Sequence, residues 1–189
     1  MFIMSELIDA EFKAKELGCN YFLEYLELES NLLKMGKNLD EILFNASVID
    51  VGADCGSSAI FFFKHNAYRV HAFEIDTELC KKYDDNVKPI LKHYSLYYYC
   101  KPANKQDVLT IIKNEKKDSH KVFLKEDCEG CEAEILDEEI MKEIDNGLIA
   151  IHDWIKQEKR QELVLLLKKY EYVPVFVSND GREVEFMKI

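Results

Sequence analysis

Residues 48–56, Val-Ile-Asp-Val-Gly-Ala-Asp-Cys-Gly, run from an apolar stretch straight into two glycines, and no other segment restricts the fold as much. Val48 to Val51 reads as a short buried strand. Gly52 and Gly56 let the backbone turn sharply and leave room for a ligand where side chains would block the approach. Ser57 to His65 then reads as a helix with Ser57 or Ser58 as its cap, and Arg69 to Phe73 as a second strand that delivers Glu74 at its carboxyl end. In an open parallel sheet ligands lie outside the carboxyl ends of the strands. An acidic residue about 20 residues past the glycine turn accepts hydrogen bonds from ribose hydroxyls there. The order strand, glycine turn, helix, strand, Glu74 therefore points to a nucleotide-type cofactor.

Strand and helix patterns alternate downstream: strand 48–51, helix 57–65, strand 69–73, helix 77–87, an aromatic segment 94–100, helix 104–114, strand 121–126, helix 132–145, strand 147–151 ending at His152, and helix 155–170. Such alternation predicts an α/β fold, a mostly parallel sheet with helices on both faces. The last residues break it. Tyr172 to Val177 and Val184 to Ile189 are strand-like runs joined through Asp180-Gly181, which predicts a C-terminal antiparallel hairpin strand, with the Pro174 run at the edge. Residues 5–44 read as helical, with Leu7, Phe12, Leu17, Leu26 and Leu33 near helical spacing and breaks at Gly18 and Gly36. They form an N-terminal helical cap, 1–45, on a domain of residues 46–189. Two roles fit that cap: closing over the site, or contacting a second copy in a homo-oligomer.

The 189 residues suffice for one domain, and 48% hydrophobic with 32% charged is an ordinary soluble composition. The first residues lack a basic region and a long apolar stretch, and the apolar runs 59–63 and 163–167 are too short to span a bilayer, so the expectation is a cytoplasmic chain without a membrane partner. A net charge of −11 argues against a nucleic-acid partner. Six cysteines at irregular spacing (Cys19, Cys55, Cys80, Cys100, Cys128, Cys131), with no export signal, are expected as free thiols. Cys128 and Cys131 have the spacing of half a zinc site or a redox pair, but no second pair follows.

Residues 121–132 place an apolar strand directly before a dense acidic turn. Asp127, Glu129 and Glu132 are too close to be buried bare. They are solvated, paired with Lys125, or gathered around a cation.

Together these blocks resemble the FkbM-like family of class I S-adenosylmethionine-dependent methyltransferases. The resemblance covers about residues 46–152 and rests on Asp50-Val-Gly-Ala-Asp-Cys-Gly56, Phe73-Glu74, the Lys-x-Asp-x-Glu-Gly-x-Glu block 125–132, and the strand ending in His152. It implies a Rossmann-like sheet with a reversed last strand, which agrees with the hairpin read from the residues. It implies S-adenosylmethionine along Asp50, Gly52, Ala53, Asp54 and Gly56, with Asp50 near the amino group, Glu74 and Ile75 at the ribose end, and Asp127 and Glu129 beside the methyl. The chain departs from the pattern at Asp54, where Asn or a small residue is common, at Ala150, where Glu often stands, and in a short 76–121 stretch.

The activity so implied is O-methylation of a small-molecule, sugar-like hydroxyl. Its proton needs a base, for which His152 at a strand end is the first candidate and Asp127 the second. The acidic trio with His152 and Asp153 offers hard ligands for a divalent cation, although the pattern assigns no residue to a metal. Tyr94, Tyr97, Tyr98 and Tyr99 either line an acceptor pocket or pack as a half-buried strand, and Trp154 either covers the site or packs. Three other readings stay open: a macromolecular acceptor, a binding protein that transfers nothing, and a nicotinamide-linked dehydrogenase, in which the 125–132 block has no obvious role.

Overall fold

The computed structural model describes residues 2–19, 22–118 and 120–188. Seven strands, β1 (Ala46–Val51), β2 (Arg69–Glu74), β3 (Leu96–Cys100), β4 (Lys121–Glu126), β5 (Asn146–His152), β6 (Tyr172–Val177) and β7 (Glu183–Lys188), form one sheet in the order β3-β2-β1-β4-β5-β7-β6. All neighbours from β3 to β5 pair in parallel; β7 runs antiparallel to both β5 and β6. This is the Rossmann-like sheet with a C-terminal hairpin. Pro174 lies on the edge strand β6, where a missing N–H costs least. The last strand begins one residue before the expected Val184, and its expected end, Ile189, lies outside the described residues.

Central strands are buried on both faces, and alternate residues feed two separate cores. Val48, Phe123, Leu148 and Met187 point to one face, under α1 (Phe2–Glu16), α2 (Phe22–Lys34), α3 (Leu39–Leu43) and α4 (Ser57–Lys64). A short helix α5 (Thr77–Lys82) follows β2 and runs into one turn of π-helix over Tyr83–Val87. Ile49, Leu124, Ile149 and Phe186 point to the other face, under α6 (Lys105–Lys117), α7 (Glu132–Ile135), α8 (Glu138–Glu143) and α9 (Gln157–Lys169). No helix among the described residues is long and apolar enough to cross a membrane.

Three local expectations change. The helix expected over 132–145 is two, because Asp137 accepts from the N–H groups of Glu139 and Ile140 and starts α8 afresh. Helix α4 has Gly56 at its cap position with no side-chain cap, and the hydroxyls of Ser57 and Ser58 turn instead to Asp54 and Asp50. The cap helices are present and break at Gly18 and Gly36, both with positive φ, but they bury Leu7, Ala10 and Ala14 from α1 and Tyr25, Leu28 and Leu32 from α2. Phe12, Leu26 and Leu33 face outward.

Candidate active site

A cleft of about 330 Å³ opens outside the carboxyl ends of β1, β2 and β4. Gly52, Asp54, Ser57, Glu74, Ile75, Lys125, Asp127 and Glu129 all line it, and Tyr25 of α2 brings the cap helices into its wall.

The glycine turn is held from two sides. The N–H groups of Gly52 and Ala53 both donate to the Phe73 carbonyl at 3.0 Å, and Gly52 adopts φ +82. A Cβ there would stand 1.7 Å from the Asp127 carbonyl oxygen, so the close approach of the 52 and 127 loops requires glycine. Gly56, at φ +91, lets the Tyr83 ring pack where a Cβ would lie 3.0 Å away. Asp54 has φ +52 and donates its N–H to Glu74 Oε2 at 2.8 Å, while the N–H groups of Ile75 and Asp76 donate to Oε1 at 2.8 Å each. A carboxylate has about four acceptor positions. Three are taken at Glu74, which locks the turn onto β2 and leaves one for a hydroxyl in the cleft. Asp50, Ala53 and Gly56 shape the turn from beneath and do not line the cleft. Burial pushes the Asp50 carboxyl up to about 6, against the lowering pull of Lys125 and the Ser58 hydroxyl.

Lys125 forms the floor of the site. It is 2% exposed, donates to the Gly52 carbonyl at 2.6 Å, and stands 3.5 Å from both Asp50 Oδ1 and Asp127 Oδ2. Burial alone would lower its pKa, but Asp127, Tyr25, Asp50 and Glu185 hold it well above the ordinary value.

The acidic turn continues from β4. Glu129 takes φ +61 and Gly130 φ +124, which turns the chain into α7. Glu132 is fully buried: its Oε2 accepts the Gly130 N–H at 2.7 Å, and its Oε1 meets His152 Nδ1 at 2.5 Å. His152 Nε2 faces Asp127 Oδ1 at 3.5 Å and Glu183 Oε2 at 4.0 Å. Trp154 stacks on the imidazole at a 4.4 Å centroid distance and donates its indole N–H to the Glu129 carbonyl at 3.2 Å. Burial would depress His152, yet Asp127 and Glu132 raise it to about 10. Burial also pushes Glu183 up to about 7 and Glu185 up to about 8, helped by their acidic neighbours, whereas Lys125 and His152 overcome burial and lower Asp127.

Of the expected site residues, Gly52, Asp54, Glu74, Ile75, Asp127 and Glu129 line the cleft, and Asp50, Ala53, Gly56 and His152 do not. Asp127 lines the cleft; His152, 1% exposed, sits behind it. Asp153 is absent from both the cleft lining and the carboxylate group around His152. The tyrosine segment packs: Tyr98 stacks on Tyr83 and donates to the Asp54 carbonyl, Tyr99 stacks on Phe73, Tyr97 on His71, and none lines the cleft. The cysteines are not free thiols. Cys19–Cys55, Cys80–Cys100 and Cys128–Cys131 are disulfides, with Cα separations of 6.5, 5.8 and 5.5 Å that suit the bond. Sequence reasoning missed Glu183 and Glu185. Their signal is two acids at alternate positions flanking the apolar residues Val184 and Phe186 of the last strand, and Glu185 pairs in register with Ala150, bringing a carboxylate from β7 to the place where β5 lacks one.

No protein-family model matches the chain. The solved structures it resembles include an rRNA methylase from Streptococcus thermophilus (TM-score 0.50, 14% identity, 79% of this chain and 89% of that one). Another is the Methanococcus jannaschii fibrillarin pre-rRNA processing protein (TM-score 0.50, 18% identity, 78% and 67%). At these identities the likeness is one of fold, a Rossmann-like, mostly parallel sheet. In sequence the chain is 31% identical over 178 residues to "Uncharacterized protein 65" of Sulfolobus islandicus filamentous virus (isolate Iceland/Hveragerdi), covering 92% of this chain and 94% of the relative. It is 33% identical over 139 residues to "Uncharacterized protein 158B" of Sulfolobus islandicus rod-shaped virus 1, covering 74% and 78%. Matched over nearly its whole length, the chain belongs to the viral protein family that includes Uncharacterized protein 65.

Proposed function

We propose that the chain is an S-adenosylmethionine-dependent methyltransferase of FkbM-like type that methylates a hydroxyl of a small, sugar-like acceptor. The observation that carries this reading is the Glu74 carboxylate, fixed by three N–H groups at the edge of the cleft with one acceptor position left for a ribose hydroxyl. Acidic Asp127 and Glu129 at the other wall suit a cofactor with a positive sulfonium. The methyl moves by in-line displacement, so holding acceptor oxygen and methyl close and collinear supplies most of the rate, an effect of roughly 7–11 kcal/mol. The Asp127 carboxylate is the group on the cleft wall that takes the hydroxyl proton, and His152 positions it from behind. A net charge of −11 and the acidic wall disfavour a polyanionic acceptor.

Calorimetric titration with S-adenosylmethionine, S-adenosylhomocysteine and NAD tests the reading. Both sulfur compounds are expected to bind at micromolar affinity. Glu74→Gln, which keeps the shape and one oxygen, is expected to weaken them at least tenfold, about 1.4 kcal/mol. Binding of NAD in their place would overturn it.

A further inference from the structure

We propose that Cys128 and Cys131 form a redox centre that exchanges its disulfide with dithiol reductants, and that buried Glu126 is the acid that protonates the departing sulfur. The exchange stands apart from the methyltransferase reading; only its effect on cofactor binding rests on it.

Glu126 is the last residue of β4 and follows Val122 and Leu124 on the face that packs against α6 to α9. Its paired neighbours in the sheet, Val51 on β1 and Ile149 on β5, belong to the same apolar core. The carboxyl is fully buried, and neither of its oxygens has a hydrogen-bond partner among the described residues. Burial, with Glu132 close by, pushes its pKa well above the ordinary value and outweighs the pull of Lys125, so the group is held in its protonated form. A buried acid without partners costs stability and calls for a reason. The two sulfurs supply one: a Glu126 carboxyl oxygen and the Sγ atoms of Cys128 and Cys131 all lie within 4.8 Å of one another.

The disulfide is placed for exchange. Both cysteines line the cleft and are half-buried, so a small dithiol can reach them. Their bridge closes a separation of 3 residues, against 36 and 20 for the other two, so loop closure in the folded chain holds it least and it is the first to open. The Cys19–Cys55 bridge also has a carboxyl nearby, Asp54, but that group accepts the Ser57 hydroxyl and both cysteines are buried. In the exchange a reductant thiolate bonds to one sulfur, the Cys128–Cys131 bond breaks, and its electron pair leaves on the other sulfur. The acidic turn raises the pKa of that leaving thiol and so slows its departure as a bare thiolate; the proton from Glu126 removes this barrier. The reductant's second thiolate then bonds to its own first sulfur and releases the remaining cysteine. The reductant, oxidised to its disulfide, gives two protons to solvent, and solvent returns two, one to the released cysteine and one to Glu126. Reduced Cys128 has an acceptor in place, because its sulfur stands 3.3 Å from Glu132 Oε2. Glu129 sits inside the bridged turn and Asp127 next to it, so opening the bridge loosens that wall of the cleft and lowers its affinity for the cofactor.

The test is stepwise reduction of the full oxidised chain with dithiothreitol, trapped by alkylation and mapped by mass spectrometry. Cys128 and Cys131 are expected to be the first pair alkylated, with the other two bridges intact, and to re-form their bond when oxidised dithiothreitol is added. Glu126→Gln, which exchanges one neutral group for another of the same shape, is expected to slow that step at least about tenfold at pH 7. Opening of either other bridge first or at the same time, or a smaller loss of rate in the variant, would overturn the proposal. If the variant misfolds, infrared difference spectra of the wild type decide: a protonated-carboxyl band that changes between the oxidised and reduced chains is expected, and its absence would overturn the role of Glu126. Calorimetry with S-adenosylmethionine on both redox states keeps the two readings separate. Exchange without cofactor binding in either state sinks the enzyme reading alone, and cofactor binding by a chain whose bridge does not exchange sinks the redox centre alone.

Discussion

At the scale of single residues, Gly52 carries the strongest constraint. An alanine there combines an unfavourable positive φ, about 1–2 kcal/mol, with a Cβ 1.7 Å from a backbone oxygen that belongs to a different loop. Gly52→Ala is therefore expected to separate the 52 and 127 loops, abolish cofactor binding and lower stability well beyond the φ cost. Gly181→Ala is the control, because Gly181 has φ +72 but open space where its Cβ would go, so only the φ cost should remain. Urea denaturation and cofactor calorimetry on both variants check this; equal stability losses would show that the loop contact is unimportant. The glycines and Glu74 were legible in the sequence because a glycine turn after an apolar run and a carboxylate at the end of the next strand are marked by residue type and order alone. Lys125, Glu132, Glu183 and Glu185 were less so. Their roles arise where β4, β5 and β7 come side by side, and the register that aligns Glu183 with His152 and Glu185 with Ala150 is a property of strand pairing between segments far apart along the chain.

At the scale of elements, three disulfides pin the walls of the cleft. Cys19–Cys55 ties the segment after α1 to the glycine turn, Cys80–Cys100 ties α5 to the end of β3, and Cys128–Cys131 closes the acidic turn, with both of its residues lining the cleft. The expectation of free thiols followed from the lack of an export signal and from irregular spacing, and spacing along the chain does not report which turns meet in space. Element types were otherwise well legible from periodicity. The exceptions were set by single polar side chains, such as Asp137 restarting α8. Cross-links closing separations of 36 and 20 residues are each expected to stabilise the chain by roughly 3–4 kcal/mol through the unfolded state. The Cys19→Ser/Cys55→Ser double variant should lose about that much in denaturant unfolding, and reduction of the wild type should lower its melting temperature and weaken cofactor binding. Titration of six reactive thiols in unreduced, denatured protein would refute the pairing outright.

At the scale of the whole molecule, charge is distributed so that the two ends of the sheet respond differently to pH. The parallel order of the central strands and the reversed end strand were legible from the alternation and the Asp180-Gly181 turn, and they put the carboxyl ends of β1, β2 and β4 at the cleft. The opposite end carries a separate buried cluster that the sequence did not reveal. Arg69 and His71 of β2 meet Glu115 of α6 at 2.8 and 2.9 Å. Burial would raise the Glu115 carboxyl, but the hydrogen bonds from Arg69 and His71 outweigh it and hold it below its ordinary value. Burial lowers His71, with Glu115 opposing only in part. Both shifts act in one direction. A carboxyl with a depressed folded pKa contributes stability that is present above its unfolded value, near 4.5, and lost as pH falls through the folded one; a depressed histidine contributes stability above about 6.5 that is likewise lost on acidification. The urea midpoint is thus expected to fall as pH drops from 7 toward 4. Glu115→Gln should cost about 2 kcal/mol at pH 7 by breaking a charge-assisted buried network, and its midpoint should fall less steeply below about pH 4.5, where the Glu115 contribution is lost in the wild type. Parallel pH profiles for the two proteins would mean that acid lability originates elsewhere. Cofactor affinity at pH 7 should be unchanged in this variant, because Arg69, His71 and Glu115 lie away from the cleft.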